Sequence, residues 1–199
     1  LYHQQYDDPP EEILSHDYFW RYPEKFYRFY RQKMLCLDAQ PNSTHLALAQ
    51  WEAMGKLQGV ITQNIDGLHQ KAGSKKVWEL HGSIHRNYCQ SCGAFYTAQQ
   101  IAQSQGVPRC SCGGLIKPDV VLYGECLDND VIDGSLKAIR QADVLIVGGT
   151  SLSVYPAAGF LSDYRGHKLV LINKTPTPYD RRADLVFHQN IGQVLSGLL

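Results

Sequence analysis

The chain has 199 residues, 44% of them hydrophobic, and its 19 basic and 19 acidic residues cancel to zero net charge. This length allows one main domain with an inserted module. The balanced charge argues against nucleic acid as a partner, since nucleic-acid-binding proteins carry a basic excess or stripe. No apolar run approaches the roughly 20 residues of a membrane span, so no membrane association is expected.

The first 55 residues predict helices. The segment 22–31 places Pro23 at a first helical turn and repeats aromatic residues at helical spacing. We expect this aromatic stripe to lie in the core, because no basic groove accompanies it. A second helix is predicted to begin at Asn42 or Ser43 and to stop at Gly55.

Four apolar runs rich in β-branched residues follow and predict strands, at 59–62, 142–150, 168–173 and 184–187. Helices are predicted between them, at about 130–141, at about 154–163 and from about 190. Apolar strands that alternate with helices predict an α/β fold with a parallel sheet covered on both faces. Ligands bind such sheets at the carboxyl ends of the strands, where polar and glycine-rich turns stand in this chain.

Four of the six cysteines form two close pairs, Cys89 with Cys92 and Cys110 with Cys112. Two thiolate pairs at this separation can close a tetrahedral four-sulfur zinc site, and the glycines after the second pair allow a tight turn. Since sulfur would fill all four positions, the predicted ion is structural. Buried or disulfide-bonded cysteines without metal are the alternative, although this arrangement fits a reducing cytoplasm better.

His81 is distinguished from the other histidines by its neighbours. It stands in Leu80-His81-Gly82-Ser83 after a strand-like segment 77–79, and the preceding polar turn reads TQNIDGLH over residues 62–69. The segments KPDVVLYGE at 117–125, GTSL at 149–152 and INK at 172–174 follow. With the cysteine module, these motifs come in the order of the sirtuin family, which the chain resembles from about residue 1 to its end.

The resemblance implies a Rossmann-like, doubly wound NAD-binding domain formed by residues 1–84 and 116–199, with a helical subregion at about 10–55 and a zinc module at 85–115. It implies that His81 is the general base and that NAD is a co-substrate. Residues expected near nicotinamide and its ribose are Gln63, Asn64, Ile65 and Asp66. Residues expected near the phosphates and adenosine are Gly149, Thr150, Ser151, Asn173, Lys174 and Ile191.

The resemblance also implies how an acylated peptide would bind, as a strand added between two segments. One segment comprises Val121, Leu122, Tyr123 and Gly124, and the other comprises Val154 and Tyr155. The implied activity is that of an NAD-dependent protein lysine deacetylase or deacylase, which releases nicotinamide and transfers the acyl group to ADP-ribose. An imidazole suits the required proton removal near neutral pH.

Alternatives to this activity are a non-catalytic peptide- or nucleotide-binding homologue, with His81 as a structural histidine, and an NAD-dependent protein ADP-ribosyltransferase. His81, Asn64 and Asp66 together count against the first. The sequence does not indicate the acyl-chain preference, the protein targets or the oligomeric state.

The family's GAGxS opening, which supplies a central strand and a phosphate-binding turn, is not among the 199 residues. We expect it to precede Leu1 in the full protein, and we expect residues 1–199 alone to fold poorly and bind NAD weakly.

Overall fold

The computed structural model describes residues 8–152 and 157–197. The α-helices in these ranges are α1 (Pro10–Ile13), α2 (His16–Arg21), α3 (Pro23–Phe29), α4 (Ser43–Ala53), α5 (Leu68–Ala72), α6 (Ala98–Gln103), α7 (Asn129–Gln141), α8 (Ala157–Phe160) and α9 (Ile191–Ser196), and a π-helix at Tyr30–Met34 continues α3. The strands are β1 (Val60–Thr62), β2 (Val77–Glu79), β3 (Gly82–Cys89), β4 (Phe95–Thr97), β5 (Ile116–Val120), β6 (Val144–Gly148), β7 (Lys168–Ile172) and β8 (Leu185–Phe187). None of the described helices is long and apolar enough to cross a membrane.

The chain divides into two compact units. The first contains the residues up to Ala39, Thr62–Gly67 and Glu79–Asp128, and the second contains Gln40–Ile61, Leu68–Trp78 and the residues from Asn129 onward. The division of the chain into a domain of 1–84 and 116–199 and a module of 85–115 stays a prediction.

The first unit is built on a three-stranded antiparallel sheet in the order β4-β3-β5. Its core joins apolar residues of this sheet to the aromatic side chains of α2 and α3, and Phe19, Phe26 and Tyr27 are fully buried there. Phe19 and Phe26 meet edge to face, with their ring centroids 4.9 Å apart, an arrangement that aromatic quadrupoles favour. The prediction that the aromatic stripe is core is confirmed.

The second unit contains a parallel sheet in the order β6-β7-β8. Its strands are the apolar runs predicted from the sequence, and α4 packs against α9 in a core formed by Ala47, Ile172 and Leu195. The side chain of Asn42 accepts hydrogen bonds from the N–H groups of Thr44 and His45, so α4 begins as predicted. The predicted α/β class with a parallel sheet is confirmed.

Two features of the fold differ from the sequence prediction. The strands β3, β4 and β5 were not predicted, because their apolar residues are interrupted by cysteines, a proline and charged residues. The helix predicted at about 154–163 is a short α8 followed by a 3-10 turn at Leu161–Asp163, and residues 154–156 lie outside the described ranges.

Candidate active site

His81 lies in the first unit, in the two-residue connection between β2 and β3. The N–H of Leu80 donates to the carbonyl of Thr62 at 2.9 Å, which fixes the connection against the end of β1. The Nδ1 atom of His81 lies 3.1 Å from the carbonyl oxygen of Gln63. A carbonyl can only accept, so Nδ1 carries the hydrogen, and the lone pair of the neutral ring is on Nε2. His81 is therefore oriented as a base at Nε2.

A close backbone approach holds His81 next to the segment that follows β5. The N–H of Val121 donates to the carbonyl of His81 at 3.0 Å. Gly82 adopts a φ of +75°, and a Cβ atom there would collide with the carbonyl of Asp119. Only glycine fits both the left-handed backbone and the available space. Gly82 thus allows His81 and Val121 to lie side by side.

The predicted nicotinamide residues Gln63, Asn64, Ile65 and Asp66 follow β1 and are tied to β3 through their backbone. The carbonyl of Ile65 accepts from the N–H of Ile84 at 3.0 Å. The carbonyl of Asp66 accepts from Nε2 of His85 at 3.0 Å. The first unit therefore brings this segment and His81 together, as the sequence motifs predicted.

The predicted peptide-binding residues Val121, Leu122, Tyr123 and Gly124 follow β5 and lead into a turn, in which the N–H of Glu125 donates to the carbonyl of Leu122 at 2.9 Å. The backbone of Tyr123 is held on one side, because its N–H donates to Leu14 and its carbonyl accepts from the N–H of His16, both at 2.9 Å. Its side chain is 61% exposed. The other predicted peptide-binding residues, Val154 and Tyr155, lie outside the described residues.

The predicted adenosine-side residues lie in the second unit. β6 and β7 are parallel with Gly148 opposite Ile172, so the turn residues after both strands stand at one edge of the sheet. These turn residues are Gly149, Thr150 and Ser151 after β6, and Asn173 and Lys174 after β7.

The backbone at this edge is open to a close ligand. Gly149 has a φ of +66° and donates its N–H to the carbonyl of Ile172 at 3.0 Å. Ile191, the first residue of α9, packs so closely on Gly148 that a Cβ atom there would collide with its Cδ1. The predicted residue Ile191 therefore lies against the strand that carries the Gly149 turn.

The four cysteines form a cluster in the first unit. Their sulfur atoms all lie within 4.8 Å of one another, and the sulfurs of Cys89 and Cys112, and of Cys92 and Cys110, are 3.5 Å apart. A tetrahedral zinc ion with Zn–S bonds of about 2.3 Å needs sulfurs about 3.8 Å apart, so the cluster fits zinc. With four sulfur ligands such a site is closed to substrate and structural.

The surroundings of Cys110 favour the thiolate form of its side chain. The backbone N–H of Cys112 and the hydroxyl of Tyr96 lower the pKa of Cys110 to about 6. Thiolate is the form that binds metal. Gly114 completes the cradle, because a Cβ atom there would lie 2.6 Å from the sulfur of Cys89.

An ion-pair cluster beside His81 was not predicted from the sequence. Arg86 donates to Glu79 and to Asp119, each at 2.7 Å. Burial alone would lower the pKa of Arg86, but the hydrogen bonds and charges of the two carboxylates outweigh it and raise the pKa. Three charged residues at sequence separations of 7 and 33 carry no recognisable spacing, so the sequence offers no signal for this cluster.

Comparisons with known proteins agree with this geometry. The Sir2 family model matches residues 1–156. The chain belongs to the Sir2 family. An NAD-dependent protein deacetylase of Clostridium perfringens (strain 13 / Type A) is 56% identical over 192 residues, which are 96% of this chain and 79% of the relative. An NAD-dependent protein deacetylase of Clostridium acetobutylicum is 55% identical over 193 residues, again 96% of this chain and 79% of the relative.

A solved structure of Sir2 with an inhibitor, 2′-O-acetyl-ADP-ribose and a deacetylated p53 peptide has a TM-score of 0.87 and 38% identity to this Sir2-family chain. The similarity covers 96% of this chain and 84% of that one. The predicted sirtuin resemblance and fold class are confirmed.

Proposed function

We propose that this Sir2-family protein is an NAD-dependent protein lysine deacetylase, with His81 as its general base. The similar Clostridium proteins are NAD-dependent protein deacetylases, and the similar Sir2 structure holds an acetylated ADP-ribose and a deacetylated peptide. The observation that supports the role of His81 is its contact with the Gln63 carbonyl, which leaves the basic nitrogen Nε2 to take a proton.

Each unit carries residues whose chemistry suits NAD. Bound NAD supplies a ribose whose anomeric carbon accepts the acyl oxygen when nicotinamide leaves. In the first unit, Gln63 and Asn64 offer carboxamides that can hydrogen-bond to a ribose or an amide without adding charge. In the second unit, the Gly149 turn at a parallel-strand end exposes backbone to a phosphate, and Lys174 and Asn173 offer donors beside it.

The role proposed for His81 is to remove a proton from a ribose hydroxyl. Its Nδ1–H remains bonded to Gln63, so proton uptake at Nε2 creates an imidazolium that the carbonyl stabilises. The acylated peptide is proposed to bind along Val121–Gly124 as an added strand. Because Val121 is bonded to His81, a peptide on this segment would be presented to the base.

The four-cysteine cluster is proposed to hold zinc in a structural role. Its four cysteines form no disulfide bonds, which suits the reducing cytoplasm that we propose as the location. The proposed partners are NAD and acylated lysine in proteins or peptides.

A product assay tests the function against its alternatives. The protein is incubated with NAD and an acetyl-lysine peptide, and peptide and nucleotide products are identified by mass spectrometry. Deacetylated peptide with O-acetyl-ADP-ribose and nicotinamide, in equal amounts, is expected. Labelling of protein by ADP-ribose would favour the transferase alternative, and peptide binding without products would favour the non-catalytic one.

A further inference from the structure

The guanidinium of Arg86 joins the two strands that lead to His81 and to the peptide-binding segment Val121–Gly124. Its Nη1 atom lies 2.7 Å from Glu79, the last residue of β2, and its Nε atom lies 2.7 Å from Asp119 in β5. His81 follows Glu79 by two residues, and Val121 follows Asp119 by two residues. Arg86 therefore contacts each strand at a residue that precedes His81 or Val121 by two positions in the sequence.

These contacts close a ring of interactions around the site. The N–H of Val121 bonds to the carbonyl of His81 at 3.0 Å, and Arg86 closes the ring from the opposite side through Glu79 and Asp119. The side chain of Glu79 is only 9% exposed, and a carboxylate removed from water to this degree needs a charged partner. The ring thus contains a nearly buried carboxylate, Glu79, whose charged partner is the partly exposed Arg86.

A bulge in β3 directs Arg86 to this position. Ser83 pairs with Asp119 and Asn87 with Pro118, so the residues 84–86 have no partners in β5. The bulge also brings Ile84 and His85 to the carbonyls of Ile65 and Asp66. Bulges of this kind often redirect side chains beside active sites.

We propose that Arg86 is a positioning residue, which holds His81 and the peptide-binding segment Val121–Gly124 in one register through its ion pairs with Glu79 and Asp119. This inference rests on the proposed function. Arg86 acts through the backbone of its two partners. Its loss lets the His81 connection and the peptide-binding segment move relative to each other, and misplacement by about 1 Å can cost 100-fold in rate.

The first test compares kinetics of the variants Arg86→Gln, Arg86→Lys and Asp119→Asn with the wild type. Arg86→Gln is expected to lower kcat/KM for an acetyl-lysine peptide by about 10-fold or more, through both kcat and KM. Arg86→Lys should recover part of this loss, because an ammonium keeps the charge but not the fork that reaches two carboxylates. The single variant Asp119→Asn should also lower kcat/KM. In the double variant, Asp119→Asn should lower kcat/KM by less than about 2-fold beyond the effect of Arg86→Gln.

The matched control is Arg140→Gln in the second unit. It also removes an arginine–aspartate pair, with Arg140 Nη2 at 2.6 Å from Asp163, and should leave the kinetics unchanged. A purely structural Arg86 would lower the melting temperature of Arg86→Gln while kcat and KM, measured well below that temperature, stay as in the wild type. That result would overturn the proposal. If Arg86→Gln does not fold, Asp119→Asn decides, since the Asp119 side chain is 43% exposed and the Arg86–Glu79 pair remains.

The second test needs no turnover and so separates this inference from the proposed function. Amide hydrogen exchange at Val121 reports directly on its bond to His81. Arg86→Gln and Asp119→Asn should accelerate this exchange by about 10-fold or more, and Arg140→Gln should not. Unchanged exchange at Val121 in both variants would overturn the proposal. An inactive wild type with accelerated exchange in the variants would instead contradict only the proposed function.

Discussion

The hydrogen-bond partner of His81 determines which of its nitrogens can act. Nδ1 is bonded to a backbone carbonyl, which cannot itself take up a proton, and this arrangement needs no second titrating side chain. The carbonyl that accepts from Nδ1 belongs to Gln63, a residue of the proposed nicotinamide segment. Movement of that segment would therefore also rotate the imidazole. The proposed base and the proposed cofactor contacts are coupled through one hydrogen bond.

Replacement of His81 tests its role as the base. His81→Ala is expected to lower deacetylation by about 100-fold or more, because general-base catalysis contributes at least this factor. The melting temperature should change by only about 2 °C, since the ring is partly exposed and makes a single bond to the backbone. The exposed His167, replaced by Ala, is the control and should keep full activity. Near wild-type turnover in His81→Ala would remove His81 from the mechanism.

Gly82 is the residue whose replacement should most disturb the backbone at the site. Gly82→Ala combines a left-handed φ of +75° with a collision of the new Cβ with the Asp119 carbonyl. The control Gly106→Ala has a φ of +59° but no atom within 4 Å of the new Cβ. The control should lower the free energy of unfolding, measured in urea, by about 1–2 kcal/mol. Gly82→Ala should lower it by about 2 kcal/mol more. Equal losses in the two variants would show that the Asp119 carbonyl moves away without cost.

Motifs indicated the residues that are proposed to act on a ligand, but not the residues that hold them in place. His81 and Gly149 could be found because their neighbours in sequence form recognisable patterns. Arg86, Glu79 and Asp119 meet only because β3 bulges, and a bulge leaves no periodic signal in the sequence.

At the scale of elements, Glu125 holds the proposed peptide-binding segment Val121–Gly124. Its carboxylate accepts from the N–H of Leu122 at 2.9 Å, from Lys117 at 2.9 Å and pairs with His16 at 3.0 Å. Glu125 therefore connects Lys117 of β5 and His16 of α2 to the backbone of Leu122. Burial alone would raise the pKa of Glu125, but the Leu122 N–H, His16 and Lys117 outweigh it and hold the pKa below the ordinary 4.5.

This lowered pKa predicts a dependence of stability on pH. The ionised Glu125 stabilises the fold above about pH 4.5, and this contribution is lost as the pH falls through the lower folded-state value. Glu125→Gln should therefore reduce the free energy of unfolding by about 1 kcal/mol at pH 7. In urea unfolding, the difference from the wild type should shrink as the pH falls below about 4.

The control for Glu125 is Asp133→Asn on the exposed face of α7. Asp133→Asn should change the free energy of unfolding by less than about 0.5 kcal/mol at pH 7 and at about pH 3.5. A Glu125→Gln difference that stays constant between pH 7 and pH 3.5 would show that the carboxylate charge of Glu125 is not the source of its effect.

Elements with a strong periodic pattern could be predicted, and irregular ones could not. The strands β6 and β7 were found because continuous apolar runs are typical of parallel strands, and α4 because Asn42 and Gly55 mark its ends. The antiparallel strand β3 carries Arg86 and Asn87 and does not alternate cleanly, and β5 alternates but contains Pro118, which argues against a strand. Only tertiary contacts, among them the buried Asn87 that donates to Ile84 and Tyr96, fix these strands.

At the scale of the molecule, the interior of each unit is stabilised in a different way. The second unit has a parallel sheet with apolar clusters of its own. The core of the first unit instead runs directly into the cysteine cluster, because Cys89 and Cys110 are buried members of the same core as Ile84, Ile101 and Ile116. The Ala94 N–H lowers the pKa of Cys92, but the neighbouring sulfurs outweigh it and raise that pKa to about 12, so the four sulfurs become thiolates together only when a cation binds them. The fold of the first unit should therefore depend on the metal.

Removal of the metal tests this dependence. Protein purified under reducing conditions should contain one zinc ion, and a strong chelator should lower the free energy of unfolding by about 3 kcal/mol or more, or the melting temperature by about 6–12 °C. Cys112→Ser should reproduce this loss and abolish zinc binding, because a hydroxyl is a poor zinc ligand. Cys36→Ser and Cys126→Ser are matched controls, since both thiols are exposed and outside the cluster, and their zinc content should not change. Protein without zinc that melts at the temperature of the untreated sample would show that the four cysteines are packed thiols and that the first unit needs no metal.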